Sequence, residues 1–118
     1  MHGIANGVVA LVALLHVYFL VLEMFLWDKP LGMKTFRLTS QRARDTKALA
    51  ANQGLYNGFL AAGLLWGLWL GAAGFQIKLF FLGCVLVAGV FGALTVNRRI
   101  LFVQGLPAAL GMVLLWLG

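Results

Sequence analysis

The sequence predicts an all-α membrane protein, a bundle of four transmembrane helices in a single domain of residues 1–118. Hydrophobic residues make up 63% of the chain and charged residues only 10%, and the mean hydropathy is +0.97. These values exclude an ordinary soluble domain. Since a span needs about 20 residues, a chain of 118 residues has room for about four spans and the short loops that join them.

The apolar stretches place these helices in order along the chain. The first stretch is longer than a bilayer core of roughly 30 Å requires, so it can tilt. Trp27 and Asp28 mark its far interface, and the second stretch starts near Asn52. The predicted spans are residues 4–27, 52–74, 79–96 and 100–117, with a cytoplasmic loop over 28–49.

The loop over 28–49 is the one long hydrophilic segment, and it carries six basic residues. Within it, Lys29 to Gly32 is typical of a turn. Ser40 is the expected N-cap of a helix that continues into the second span. Two interpretations stay open: a solvated loop that sets orientation, or a short amphipathic tether whose apolar side chains enter the interface of anionic lipid.

Loop charge predicts how the chain is oriented. The first loop holds six basic residues and the third holds Arg98 and Arg99, against Lys78 alone in the second. Because basic loops stay in the cytoplasm, we expect both termini outside it. The net charge of +6 is explained by the same loops, and no nucleic-acid partner is expected.

The first span contains two ionisable residues on one face. His16 and Glu23 are seven residues apart in HVYFLVLEMFLW, two helical turns, and His16 lies about 10 Å deeper. An ionisable side chain in hydrocarbon costs several kcal/mol unless it finds a partner or water. Glu23 and His16 are therefore the predicted catalytic residues.

Polar side chains of the other spans fall at a similar depth to Glu23. Together they exceed what the packing of four helices requires. We therefore predict an intramembrane polar pocket that opens to the cytoplasm or the inner leaflet, with His16 as its floor. The predicted substrate-binding residues are Asn52, Gln53, Tyr56, Asn57, Gln104 and Trp27.

A purely structural interpretation of the same residues is the alternative. Amides in membrane helices often only bond a neighbouring helix, which adds about 1 to 2 kcal/mol or less. Glu23 can pair with a basic loop residue such as Arg98, and a neutral His16 can bond a carbonyl or a hydroxyl. Glycines at four-residue spacing, such as Gly54 and Gly58, let helices approach closely. Such contacts can form within one bundle or between two copies of the chain, so a homo-oligomer is a further interpretation.

At these residues the chain resembles an uncharacterised family of small bacterial four-span membrane proteins, domain of unknown function thirteen-oh-four. The resemblance is carried by His16 and Glu23, by NQGLYNGFLAAGL over residues 52–64 and by Gln104 to Pro107, and it extends over nearly the whole chain. It implies four spans in a bacterial inner (plasma) membrane and supports the choice of polar residues. It implies no activity.

Three functions are compatible with this pattern. In the first, the pocket takes a small lipophilic molecule from the inner leaflet, and Glu23 and His16 exchange protons with it, as in membrane isomerases or hydrolases. In the second, Glu23 is the proton and substrate site of a small-cation exporter, with Tyr56, Trp66 and Trp69 as an aromatic wall. A four-span chain of this length with one acidic residue in its first span is similar to small multidrug exporters, whereas the uneven loop charge and the added His16 depart from that pattern.

The third function is a non-catalytic accessory subunit of a membrane complex. The sequence has no metal-ligand spacing such as HxxxH or CxxC, and no phosphate-binding glycine motif. We therefore expect no metal and no cofactor. The expected partners are membrane lipid and the small lipophilic ligand.

Overall fold

A computed structural model describes residues 2–118, with side chains from residue 3 onward. A 3-10 turn over Gly71–Gly74 precedes the fourth α-helix, and a π-helical turn over Leu101–Gly105 precedes the fifth. The described residues contain no strand, which confirms the all-α class. The helices are α1 (His2–Met24), α2 (Pro30–Phe36), α3 (Ser40–Trp69), α4 (Phe75–Thr95) and α5 (Leu106–Leu117).

Two helical segments are long and apolar enough to cross a membrane. They are Gly3–Met24, with a mean hydropathy of 2.2, and Gly71–Thr95, with 2.3. A third apolar segment, Leu101–Leu117, is shorter. The helix α3 is not among them because its first half carries basic side chains and amides. The fold is therefore all-α with two membrane-length apolar helices, and four spans remain a proposal.

The loop after α1 is more ordered than the sequence predicts. Residues Lys29 to Gly32, expected as a turn, begin the short helix α2, with Pro30 in its first turn. Proline is favoured there because the amide that it lacks has no partner within a helix. The expectation of a turn was wrong because a turn and a helix start share the same proline signal.

The start of α3 differs by one residue from the expected cap. Thr39, and not Ser40, is the N-cap, since its Oγ1 accepts a hydrogen bond from the backbone amide of Arg42 at 3.1 Å. Adjacent serine and threonine are both good caps, and only the backbone geometry selects one. From there α3 continues without a break to Trp69, and Gly71 follows with a φ of +63°, a conformation that glycine adopts readily.

The chain forms two compact units. The larger unit comprises Met1–Leu14 and Leu60–Gly118, and the smaller unit comprises Leu15–Phe59. In the larger unit, one buried apolar cluster takes side chains from α1, α3, α4 and α5. Its buried members are Ala5, Val9, Val12, Ala13, Leu64, Leu82, Val85, Ala108 and Leu115.

The smaller unit contains the second half of α1, all of α2 and the first part of α3. Its fully buried apolar residues are Leu22 and Ala43. Trp27 joins α2 and α3, since its Nε1 donates to Thr46 Oγ1 at 3.0 Å and its ring lies 4.8 Å from that of Phe36. The basic loop is thus folded and packed, and it is not an extended segment without tertiary contacts.

Candidate functional site

The centre of the candidate site is a hydrogen bond between two helices of the smaller unit. The side-chain amide of Asn57 on α3 donates to Glu23 Oε1 on α1. Asn57 is only 5% exposed, and Glu23 is half-buried. Within this unit Glu23 has no ion pair, and the one salt bridge described there joins Lys47 to Asp28. The carboxylate is therefore held by a neutral donor and not by a cation.

Two glycines bring these helices close enough for the bond. A Cβ at Gly54 would meet Met24 Cγ at 2.6 Å and Glu23 Cβ at 3.1 Å, and a Cβ at Gly58 would meet Leu20 Cδ1 at 2.7 Å. The sequence assigned this glycine pair to helix packing in general. In the structure the pair lets α3 approach the last turns of α1, which carry Leu20, Glu23 and Met24.

His16 lies in the same unit, two turns before Glu23 on α1. Its side chain is 0% exposed, and its ring meets that of Phe19 edge to face at 5.4 Å. Every buried side-chain nitrogen and oxygen of the described residues has a hydrogen-bond partner, so His16 is a satisfied buried group. It occupies the face of α1 that the spacing predicts.

The other predicted residues of α3 are not turned toward Glu23. The buried stripe of this part of the helix is formed by Gly54, Asn57 and Ala61, a spacing of three and four residues that one helix face requires. Asn52, Gln53 and Tyr56 fall outside this stripe and are exposed. Trp66 and Trp69, proposed as an aromatic wall, are exposed as well.

Two further predicted residues belong to the packed loop and to the larger unit. Trp27 belongs to the packed loop described above. Gln104 lies in the larger unit, half-buried in the π-helical turn, where Gly105 contacts Gly89 closely enough that a Cβ at Gly89 would meet the Gly105 nitrogen at 2.6 Å. Of the predicted substrate-binding residues that belong to the smaller unit, the structure brings one, Asn57, to Glu23.

The ion pair of the smaller unit lies outside the candidate spans. Lys47 Nζ lies 3.0 Å from Asp28 Oδ2. The hydrogen-bonded ammonium of Lys47 lowers the pKa of the Asp28 carboxyl from its ordinary value of 3.8. The pair links the connection between α1 and α2 to α3, in the loop where most of the positive charge lies.

Sequence reasoning missed a second polar position, in the larger unit. Lys78 was expected in a loop, but it lies in the first turn of α4 and is 4% exposed. Its Nζ donates to Asn6 Oδ1 of α1 at 3.0 Å. The signal was present in the sequence, because Lys78 is the one charged residue of the apolar stretch Gly71–Thr95, and such residues are functional candidates by default.

Two cavities of about 340 Å³ each lie in the larger unit, and neither is lined by Glu23 or Asn57. The first borders Lys78, and Trp116 borders both. In the part of the chain that the structure describes, no three histidine, cysteine or acidic side chains come together in a way that could hold a metal ion.

The fold and the candidate site define the chain as an all-α protein with membrane-length apolar helices and a carboxylate paired to an amide between two of its helices. The chain belongs to the family "Protein of unknown function (DUF1304)", whose model matches residues 10–116, which confirms the resemblance found in the sequence. It is 29% identical over 105 residues to the uncharacterized protein YpaA of Lactococcus lactis subsp. lactis (strain IL1403), covering 87% of this chain and 88% of the relative. No solved structure matches the chain.

Proposed function

We propose that this chain is a four-span protein of the bacterial inner membrane that binds a small lipophilic molecule beside Glu23 and Asn57. The observation that carries the proposal is the hydrogen bond from the Asn57 amide to the half-buried Glu23 carboxylate. A carboxylate in an apolar helix is costly and usually functional. Asn57 donates to Glu23 Oε1, and in the proposed complex the ligand donates a hydrogen bond to Oε2.

The four proposed spans are α1, the apolar second half of α3, α4 and the segment 101–117. The buried cluster of the larger unit supports this arrangement because α1, α3, α4 and α5 all contribute to it. The proposed orientation has both termini outside the cytoplasm. It is supported by the short connection over Gly71–Gly74, which has no basic residue. Lys78, which the sequence analysis counted in this connection, is buried in α4.

In the proposed chemistry, Glu23 exchanges a proton with the ligand, and His16 is the second proton-transfer group. Glu23 is half-buried and His16 fully buried, so a ligand meets Glu23 first. The proposed site is narrower than the sequence prediction. It comprises Glu23, His16 and Asn57. The exposed Asn52, Gln53 and Tyr56, Trp27 of the packed loop and Gln104 of the larger unit are left out.

The experiment compares small molecules that copurify with the protein. Parent and Glu23→Gln chains are purified in a neutral detergent, and their organic extracts are compared by mass spectrometry. We expect a lipophilic species that is about tenfold or more depleted in Glu23→Gln, because a hydrogen bond to a charged group contributes about 1.5–3 kcal/mol. Asp45→Asn, a matched change at an exposed acid of α3, retains the species. Identical extracts from parent and Glu23→Gln would remove Glu23 from any ligand site.

The exporter alternative rests on the same observation, since Glu23 is the one acid among the apolar spans. Vesicles that enclose a proton-sensitive dye separate the two functions. Addition of tetraphenylphosphonium moves protons through a coupled exporter and moves none through a protein that only binds or converts a lipophilic molecule. A proton flux that depends on Glu23 would replace the binding proposal by the exporter.

A further inference from the structure

The larger unit holds a buried charge that the proposed site does not use. Lys78 is 4% exposed, and its stem packs against Gly67, where a Cβ would meet Lys78 Cγ at 2.6 Å. Its Nζ donates to the neutral amide oxygen of Asn6 at 3.0 Å. Lysine is almost never buried without a partner. An ammonium has three N–H donors, so the bond to Asn6 uses one of them.

The larger unit offers Lys78 no acidic side chain. The three acidic residues of the chain, Glu23, Asp28 and Asp45, all belong to the smaller unit. Gly118, at the end of α5, lines the same cavity as Lys78. Among the residues described, no ion pair joins Gly118 to Lys78, since the salt bridge found is that of Lys47 with Asp28. Among the residues described in this unit, no acidic side chain forms an ion pair with Lys78.

Lys78 borders a cavity whose other walls are largely apolar. This first cavity, of about 340 Å³, is open on one side, and the rings of Phe75 and Trp116 in its wall lie 6.3 Å apart. The remaining lining residues are Ala72, Leu115 and Gly118. One cation among aromatic and aliphatic walls is the arrangement of a ligand site with a single orienting polar group.

The second cavity is shallower and more open than the first, and it adjoins the first at Trp116, which lines both. It has no charged or polar lining side chain apart from the indole. Its other lining residues are Leu79, Met112, Val113 and Leu117. The two cavities thus combine a positive charge at one end with a purely apolar region at the other.

We propose that these two cavities bind an amphiphile with an anionic head, its acidic group on Lys78 Nζ and its hydrocarbon chain along Trp116 into the second cavity. The buried ammonium attracts an anion and repels a cation. The apolar second cavity holds the hydrocarbon chain by van der Waals packing, since within a membrane the driving force for contact with an acyl chain is packing and not removal from water. The site is separate from the one proposed at Glu23 and does not depend on it.

The shared chemistry is an acid on an acyl chain, which a free fatty acid and an anionic phospholipid both supply. Dibromostearate and a dibrominated phosphatidylglycerol are suitable probes, because bromine quenches a nearby tryptophan. Each is added to the full chain in neutral detergent. We expect saturable quenching by one or both, little quenching by dibromostearyl alcohol at the same concentrations, and loss of the saturable signal in Trp116→Phe.

Three variants separate recognition from a structural role of Lys78. Lys78→Met keeps the length of the stem without the charge, and we expect it to bind the anionic probe about tenfold or more weakly. Lys78→Arg keeps the charge and stays within a few-fold of the parent. Asn6→Ala removes the present partner of Lys78 and binds the probe at least as tightly as the parent.

Several results would overturn the proposal. They are equal saturable quenching by the acid and the alcohol, no saturable quenching by either anionic probe, or a Lys78→Met chain that binds like the parent. A loss of binding in Asn6→Ala as large as in Lys78→Met would also overturn it, because Lys78 would then only tie α4 to α1. If Lys78→Met does not fold, Asn6→Ala and Lys78→Arg still test the proposal. The proposal requires both variants to bind the anionic probe, and a loss of binding in either one overturns it.

Discussion

The Asn57 amide and the Glu23 carboxylate form a hydrogen bond although 34 residues separate them in the chain. The bond forms because Gly54 and Gly58 let α3 approach α1. It places a half-buried acid next to a buried neutral donor, with no cation paired to the acid in the smaller unit. Such an acid can bind a ligand, or it can only stabilise the packing of two helices. Mutation of Glu23 changes ligand binding in the first case and only the stability of the chain in the second.

The stability contributed by this bond is the first prediction. We expect a double-mutant cycle with Glu23→Ala and Asn57→Ala to give a coupling free energy of about 1–2 kcal/mol in favour of folding, as interhelical hydrogen bonds in membranes do. The measurement is unfolding of the purified chain in mixed micelles. Tyr56→Ala with Glu23→Ala is the matched control, since Tyr56 is exposed and next to Asn57 in sequence, and it should give a coupling near zero. Equal couplings in both cycles would show that Asn57 has no special link to Glu23.

Close packing at Gly54 gives the second prediction. We expect Gly54→Ala to destabilise the chain by about 1–3 kcal/mol, because the added Cβ overlaps Met24 Cγ at 2.6 Å and lies 3.3 Å from the backbone oxygen of Leu20. Gly7→Ala is the control, since a Cβ at Gly7 meets nothing within 4 Å. It should be neutral or stabilising by up to about 1 kcal/mol from helix propensity. A Gly54→Ala chain as stable as the Gly7→Ala chain would contradict the close approach.

These two residues show what the sequence could and could not predict. Helical spacing placed His16 and Glu23 on one face of α1, and the structure agrees. The same spacing put Tyr56 and Asn57 on one side of α3, yet only Asn57 is buried. Which amide meets Glu23 depends on the rotation of α3 about its axis, which the contacts of Gly54 determine. Periodicity within one helix contains no information about that contact.

Lys78 shows a different limit of sequence reasoning. A lysine near the end of an apolar stretch was assigned to the loop, where the positive-inside rule counts it. The structure extends α4 back to Phe75, so Lys78 lies within the helix and its ammonium reaches Asn6. An error of a few residues in the predicted helix boundary thus placed a buried charge in a solvated loop.

The ion pair of Asp28 with Lys47 gives the third prediction, which concerns pH. Because Lys47 lowers the pKa of Asp28 below 3.8 in the folded chain, the folded chain binds that proton more weakly than the unfolded chain. The pair therefore contributes stability above about pH 3.8, and this stability is lost as the pH falls through the lowered pKa.

A carbon NMR titration of the Asp28 carboxyl measures this effect directly. We expect Lys47→Met to raise the pKa of Asp28 toward 3.8. Lys34→Met, at an exposed lysine of the same loop without an ion pair among the residues described, should leave the pKa unchanged. If the pKa of Asp28 were the same in Lys47→Met as in the parent, the ion pair would be absent in solution.

Orientation in the membrane gives the fourth prediction. In a Cys84→Ala chain, which removes the single native thiol, Arg42→Cys reports on the basic loop and Ala72→Cys on the connection before α4. Both positions are exposed, so a membrane-impermeant maleimide reaches either one from the side on which it lies. Because six basic residues keep the first loop in the cytoplasm, intact cells should label Ala72→Cys and leave Arg42→Cys unlabelled until the membrane is permeabilised. Labelling of Arg42→Cys alone in intact cells would reverse the proposed orientation, and equal labelling of both would indicate that the chain inserts in two directions.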